Sequence, residues 1–413
     1  MSPSLEAALD QFEGLYPETI ELSLGRILDL LETLGRPQDK LPPTIHVAGT
    51  NGKGSTCAYL RAMAEAEGLS VHVYTSPHLV RFNERTRLAG KLVSDEDLIN
   101  WLDRVYAALD GRPITRFEAT TATAFLAFSE VPADLLILEV GLGGRFDATN
   151  VITKPALSVI TPVDFDHKQF LGSDLAKIAG EKAGIIKPDL PVVSAIQARV
   201  CGDVIRARAE ELNAPLTLLR MEDIEKVPER VALPGTHQRY NAALAGLAMR
   251  TLTTPRVGNQ AIWQGAQQAV WPARMQKLAE GPLTKRANGA EVWLDGGHNP
   301  HAATAIAELL REMGGRTVMV AAMIASKDHG GFFHAFKGVI DGVYTAPNAP
   351  GHAGADPTDL AETAKQFLPH AEAHISLEAA LEAAAASAPD RILIGGSLYL
   401  AGEVLKKNDQ LPI

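Results

Sequence analysis

A doubly wound α/β fold in two domains is predicted by three features of the chain. Short apolar, β-prone runs alternate with helix-like segments to about residue 250. The run 134–140 is almost continuously apolar, as a parallel strand covered on both faces requires. These runs also end in glycine-rich or polar turns, and in such sheets ligands sit beyond the carboxyl ends of the strands. The stretch 278–290 turns polar and carries Gly and Pro, so it reads as a linker. The expected division is a P-loop domain with a mostly parallel sheet over 1–280, and a smaller Rossmann-like α/β domain over 290–413.

Taken in order, residues 5–12 and 23–34 read as amphipathic helices. The loop between them, 16–25, is either a lid or a helix cap. Residues 44–48 form a strand, and Gly49-Thr50-Asn51-Gly52-Lys53-Gly54-Ser55 leads from it into a helix over 56–67. A glycine turn between strand and helix points backbone N–H groups at one spot, where the helix dipole adds positive potential. A triphosphate is the natural occupant, with Lys53 on the outer phosphates and a hydroxyl of Ser55 or Thr56 facing Mg²⁺. The spacing departs from the strict Walker pattern, because Gly49 and Gly52 are two residues apart and Gly54 follows Lys53. A purely structural turn is the alternative.

A strand over 70–74 ends at Thr75-Ser76-Pro77-His78, and Arg81, Asn83, Glu84, Arg85 and Arg87 follow. Helices are expected over 94–109, capped by Ser94, and over 117–129. The apolar strand then closes on Glu139 before Gly141 to Asn150, and the strand over 156–163 ends at Asp164-Phe165-Asp166-His167. In the second domain, strands are expected over 291–295, 317–322 and 391–394, the first leading into Gly296-Gly297-His298-Asn299-Pro300 and the last into Gly395-Gly396-Ser397; 379–388 is an Ala-rich helix.

Glu139 is either a strand-end carboxylate in water or one that meets a cation, since burial is otherwise costly. His167 is a Mg²⁺ ligand, a general base or a loop histidine. Lys182 falls in a helix, where a lysine is ordinarily solvated. Asp295 and His298 are either a second strand-end site or a turn.

Composition narrows the partners. Over 413 residues, 46% hydrophobic and 21% charged content describes an ordinary globular protein with room for substantial cores. A net charge of −10 and a pI near 5.7 argue against a nucleic-acid surface. An anionic substrate must therefore be held by a local group of Arg and Lys. Cys57 and Cys201 are too few for a disulfide framework and fit the cytoplasm. The first residues, with Glu6, Asp10 and Glu13, are no signal peptide. No run approaches the ~18 apolar residues of a membrane helix.

GTNGKGS at 49–55, TSPHL at 75–79, LEVGLGGRFDATN at 138–150, DH at 166–167 and EKAGI at 181–185 resemble the folylpolyglutamate synthase/dihydrofolate synthase family of the Mur ligase superfamily. HQRYNA at 237–242, DGGHNPHA at 295–302 and GGSLYLAG at 395–402 extend the resemblance over nearly the whole chain in order. It implies an ATP-dependent amide ligase that adds L-glutamate to tetrahydrofolate and also to dihydropteroate, with folylpolyglutamate synthesis alone as the alternative. Gly49, Thr50, Asn51, Gly52, Lys53, Gly54 and Ser55, with Asn241, Arg274 and Asp295, would bind ATP. Ser76, Glu139 and His167 would ligate Mg²⁺, and Lys182 would carry a carbamate near a second metal. Lys53, His167 and Lys182 would be the catalytic set. The pterin acid would lie against Leu22, Ser23, Leu24 and Gly25, against Thr115, Arg116, Phe117 and Glu118, and against Phe146, Asp147 and Ala148. Arg81, His298 and Ser397 would receive the incoming glutamate. A monomer is implied. The chain departs from the family at Gly297, where Ala is commoner, and at Ala273, where Pro-Gly-Arg is usual.

Overall fold

The computed structural model describes residues 4–16, 23–166, 172–349 and 353–412. Leu22 and His167 lie outside the described residues, as does the loop 17–22. The chain divides into two compact units. The first is Met1–His78, Asn83–Ala232 and Arg239–Val270; the second is Leu79–Phe82, Leu233–Gln238 and Trp271–Ile413.

In the first unit the strands are β1 (Thr44–Ala48), β2 (Val71–Tyr74), β3 (Thr86–Leu88), β4 (Lys91–Leu92), β5 (Leu135–Glu139), β6 (Leu157–Ile160), β7 (Val192–Ser194) and β8 (Leu216–Leu218). They form one sheet in the order β4-β3-β2-β5-β1-β6-β7-β8. Strands β2 to β8 across that order run parallel, and only β3 and β4 are antiparallel. Every residue of β1 and β5 is buried, so both strands are covered on both faces and their sequences read as apolar runs. The register sets Val47 opposite Glu139 and Ala48 opposite Ile160, which brings the carboxyl ends of β1, β5 and β6 level.

Helices on the two faces carry their own start signals. Ser94 accepts from the Asp97 N–H to cap Asp95–Leu109, and Thr115 forms a capping box with Glu118 at the head of Arg116–Glu130. The helix Lys53–Ala66 has no side-chain cap at all. Its first N–H groups are left for something other than the protein's side chains.

The second unit holds β9 (Gln276–Lys277), β10 (Glu291–Leu294), β11 (Thr317–Ala321), β12 (Val343–Thr345), β13 (Ala371–Ala373) and β14 (Arg391–Gly395), in the order β13-β12-β11-β14-β10-β9. All pairs are parallel except β9 with β10. The stretch 278–290, expected as a linker, belongs to this unit. Leu278 donates its N–H to the Val292 carbonyl at 2.9 Å, and Leu278, Leu283 and Ala287 are buried with Val292, Leu294 and Ile392. Three apolar anchors within a polar average hold the segment down. No helix of the described residues is long and apolar enough to cross a membrane.

His46, in the middle of β1, is fully buried, and burial with Lys187 nearby pulls its pKa down to about 3. The unfolded chain takes up a proton at this residue below about pH 6.5 while the folded one refuses it. This group therefore leaves stability intact above pH 6.5 and removes roughly 1.4 kcal/mol per unit as the pH falls from there toward 3. Urea titrations of wild type and His46→Gln over pH 4–7 are expected to diverge with that slope, wild type being the more acid-sensitive.

Candidate active site

The phosphate loop follows β1 and is shaped by its neighbour across the sheet. Gly49 has φ +149°, and a Cβ there would lie 1.8 Å from Thr161 Oγ1. Only glycine fits that approach. Thr50 and Asn51 both donate their N–H groups to the Pro162 carbonyl, at 3.0 and 3.2 Å. The Thr50 hydroxyl donates to the Asp164 carbonyl and accepts from the Asp164 N–H, at 2.9 and 3.0 Å. These two N–H groups therefore hold the loop and do not point outward with the rest. The donors left for an anion are those of the uncapped helix start, Lys53, Gly54 and Ser55. Gly52, at φ +85°, turns the chain into that helix, and a Cβ on it would sit 2.6 Å from Asn241 Oδ1. The structure thus brings Asn241 against the loop from far along the chain.

Two lysines converge on one carbonyl. Lys53 Nζ donates to Gly49 O at 3.2 Å and Lys182 Nζ donates to the same oxygen at 2.9 Å. Lys182 lies in the helix Leu175–Ala183 and is buried; it is not a solvated helix lysine. Burial, reinforced by the charge of Lys53, pulls its pKa down to about 7. A substantial share of its amine is then neutral near pH 7.

Glu139 ends β5 and is 4% exposed. Its Oε2 accepts from the Ser76 N–H at 3.1 Å, so the ends of β2 and β5 are tied together beside the loop of β1. Among the described residues no three His, Cys, Asp or Glu side chains form a metal cluster. Ser76 and Glu139 offer hard oxygen ligands that suit Mg²⁺, an ion that completes its shell with water and substrate phosphates. The residues present fit that ion.

Around the next loop, several expected acid-binding residues carry structural duties. Asp147, buried, accepts from the Leu142 N–H at 2.8 Å and from the N–H and hydroxyl of Thr149 at 3.0 and 2.5 Å. Glu118 closes the capping box with Thr115 and also pairs with Arg26 at 3.1 Å, joining the helices Arg116–Glu130 and Gly25–Thr33. Phe117 lies over Gly141, Leu24 caps Gly25–Thr33, and Arg116 faces Glu13 at 3.8 Å. Phe146 remains 42% exposed under the Arg145 guanidinium. Arg145 and Phe146, with Lys177, Glu181, Arg208 and Glu211, line a cavity of about 710 Å³.

In the second unit Asp295 follows β10, is buried, and accepts from the Met275 and Gly297 N–H groups at 2.8 and 2.7 Å. Burial raises its pKa, opposed by the Arg274 charge. Ala273 adopts φ +55°, the left-handed conformation for which glycine is the unstrained residue. His298 Nδ1 lies 3.2 Å from the Gly296 carbonyl, and Ser397 caps the helix Leu398–Lys407. Arg81 donates to the Pro412 carbonyl at 2.8 Å.

Sequence reasoning did not single out Thr161 and Pro162, which shape the loop, nor Gln197. The Gln197 amide accepts from the Val163 N–H and donates to the Thr161 carbonyl, at 3.0 and 3.1 Å. Pro162 acts by its carbonyl, Thr161 by the place of its hydroxyl against Gly49 and Gln197 by an amide bonded to backbone groups, and none of these leaves a compositional signal.

A parallel sheet whose first strand enters a lysine-bearing glycine loop is joined here to a second α/β unit, and residues 273–398 match the Mur ligase, glutamate ligase domain, which makes this a Mur-type ligase. Within that class the chain belongs to the folylpolyglutamate synthase/dihydrofolate synthase family. It is 37% identical over 359 residues to the dihydrofolate synthase/folylpolyglutamate synthase of Bacillus subtilis, covering 79% of this chain and 81% of that one. It is 34% identical over 423 residues to the Escherichia coli protein of the same name, covering 98% and 96%. The structure of E. coli FolC in complex with DHPP and ADP superposes with a TM-score of 0.88 at 31% identity, over 99% of this chain and 98% of that one. The bifunctional folylpolyglutamate synthase/dihydrofolate synthase of Yersinia pestis, complexed with AMPPNP and Mn ion, gives 0.83 at 31% identity over 98% of each chain.

Glu118→Ala removes a cap acceptor and leaves Arg26 without this carboxylate, and is expected to cost about 2–4 kcal/mol in urea unfolding. Glu118→Gln, which keeps the cap acceptor, is expected to cost less.

Proposed function

We propose that this chain is an ATP-dependent ligase that forms an amide between L-glutamate and a pterin acid, acting on tetrahydrofolate and on dihydropteroate. The observation that carries the reading is the joining of three strand ends: the phosphate loop after β1, Ser76 after β2 and Glu139 closing β5. The named activities of the relatives, at 34–37% identity, support the choice of substrates.

A carboxylate is a poor electrophile, so the acid is first activated. One of its oxygens attacks the γ-phosphorus of ATP, the bond to ADP breaks, and an acyl phosphate forms. The neutral amine of glutamate then attacks the acyl carbon, the acyl–phosphate bond breaks, and phosphate and a proton leave. Lys53 and the N–H groups of Lys53, Gly54 and Ser55 neutralise the charge on the transferring phosphoryl, and Asn241, against the loop, holds the nucleotide. Mg²⁺, when bound, spreads charge across the triphosphate. Ser76, Glu139 and His167 would hold it, with a carbamate on Lys182 serving a second position. For that role the neutral amine of Lys182 adds to CO₂ and loses a proton, giving a carbamate whose oxygens replace a cation with an anion. Arg274 and Asp295 complete nucleotide binding, and Arg81, His298 and Ser397 receive glutamate. The family resemblance implies a monomer, and the two cysteines, both free and buried, suit a reducing cytoplasm.

The test incubates the pure protein with ATP, Mg²⁺ and labelled glutamate, supplying dihydropteroate and tetrahydrofolate separately, with products resolved by mass. One added glutamate on each acid, with equal release of ADP, is expected. Product from tetrahydrofolate alone would restrict the activity to polyglutamate synthesis, and no amide from either acid would refute the reading. Lys53→Ala is expected to lower kcat/KM at least about a hundredfold, the scale for losing one group that stabilises transition-state charge.

A further inference from the structure

Beneath the loop 141–150 lies a buried polar chain that the reaction above does not use. Asp147 takes three donated hydrogens, and no ion pair with it is found among the described residues. The shortest is from the Thr149 hydroxyl at 2.5 Å. That hydroxyl is in turn 2.9 Å from His46 Nε2, and Thr149 and His46 are both 0% exposed. A hydroxyl has one proton to give. If Thr149 gives it to Asp147, His46 must present Nε2–H; if Nε2 were bare, it would compete for that proton and weaken the hold on Asp147. The other ring nitrogen decides between the two. His46 Nδ1 is buried with no partner, and a buried donor left unmade is the costlier state. The ring is therefore the Nε2–H tautomer, and protons run in one direction, His46 to Thr149 to Asp147.

Asp147 closes the loop on itself by binding Leu142 and Thr149 on either side. His46 stands three residues before Gly49 on the strand that carries the phosphate loop. We infer that His46 is a positioning residue which, through Thr149 and Asp147, holds the acid-binding loop in register with the phosphate loop. The inference rests on the proposed function and on the assignment of residues 146–148 to the pterin acid that the family resemblance implies. Removal of the chain loosens that loop while the Pro162 and Thr161 contacts still hold Gly49 to Asn51. The damage then falls on the acid and spares the nucleotide.

The test measures KM for dihydropteroate and for ATP in His46→Leu, His46→Gln, Thr149→Val and Thr149→Ser. Gln carries an amide N–H near the place of Nε2–H, and Ser keeps the hydroxyl. His46→Leu and Thr149→Val are expected to raise the KM for dihydropteroate about tenfold or more and to leave the KM for ATP within about twofold, since one buried hydrogen bond of ~1–1.5 kcal/mol is worth about tenfold. His46→Gln and Thr149→Ser are expected to return within about threefold of wild type, the residue of a slightly longer bond. Equal changes in both KM values, no change in either, or failure of both conservative variants to restore binding would overturn the role. Should His46→Leu fail to fold, the Thr149 pair decides by the same criteria. If wild type forms no amide, the functional reading has failed instead, and the chain is judged on the free protein by ¹⁵N resonances of the His46 ring. Protonated Nε2 with bare Nδ1, unchanged from pH 6 to 8, is expected; Nδ1–H or a charged ring would contradict it.

Discussion

Two contacts with the chain just after β6 govern the loop: Pro162 O accepting from both Thr50 and Asn51, and the Thr161 side chain close against Gly49. They pin the front half of the glycine loop to the end of β6, and that leaves the uncapped start of Lys53–Ala66 as the loop's open donor face. An anion-binding helix start is useful only if the preceding chain does not collapse onto it. Here the neighbouring strand supplies that restraint. Gln197, reaching from beyond β7, in turn ties down the segment 161–163.

Charge is handled the same way, by fixed neighbours. The overall field of the chain repels anions, with a net charge of −10. Lys53 and Lys182 nevertheless meet at Gly49 O, one of them pulled down to about 7 by burial. Glu139 is held at the edge of the same region by Ser76. Positive charge is gathered at the glycine loop, and oxygens of the kind a hard cation takes stand next to it.

Much of this was legible in the sequence. The strand Thr44–Ala48, the apolar strand ending on Glu139 and the Ser94-capped helix follow from periodicity, burial on both faces and capping chemistry. The gathering of Gly49, Ser76 and Glu139 follows from the rule that parallel sheets collect ligands at one edge. What could not be read was the work of residues that act through backbone atoms or through each other. Pro162 contributes a carbonyl and Thr161 a surface for glycine; Asn241 was named from the family pattern, but not that its side chain is laid on Gly52. Asp147 and Glu118 matched a family pattern as binding residues, and the structure gives both of them buried architectural bonds. The supposed linker at 278–290 misled because a polar average hid Leu278, Leu283 and Ala287.

The division of labour within the loop is the claim on which the rest stands, and amide NMR reads it directly. On adding Mg²⁺ and a non-hydrolysable ATP analogue, the amides of Lys53, Gly54 and Ser55 should shift strongly downfield. Those of Thr50 and Asn51 should keep slow exchange in both states, as N–H groups already bonded to Pro162. Fast exchange at Thr50 and Asn51 before nucleotide, with shifts confined to other segments, would contradict it.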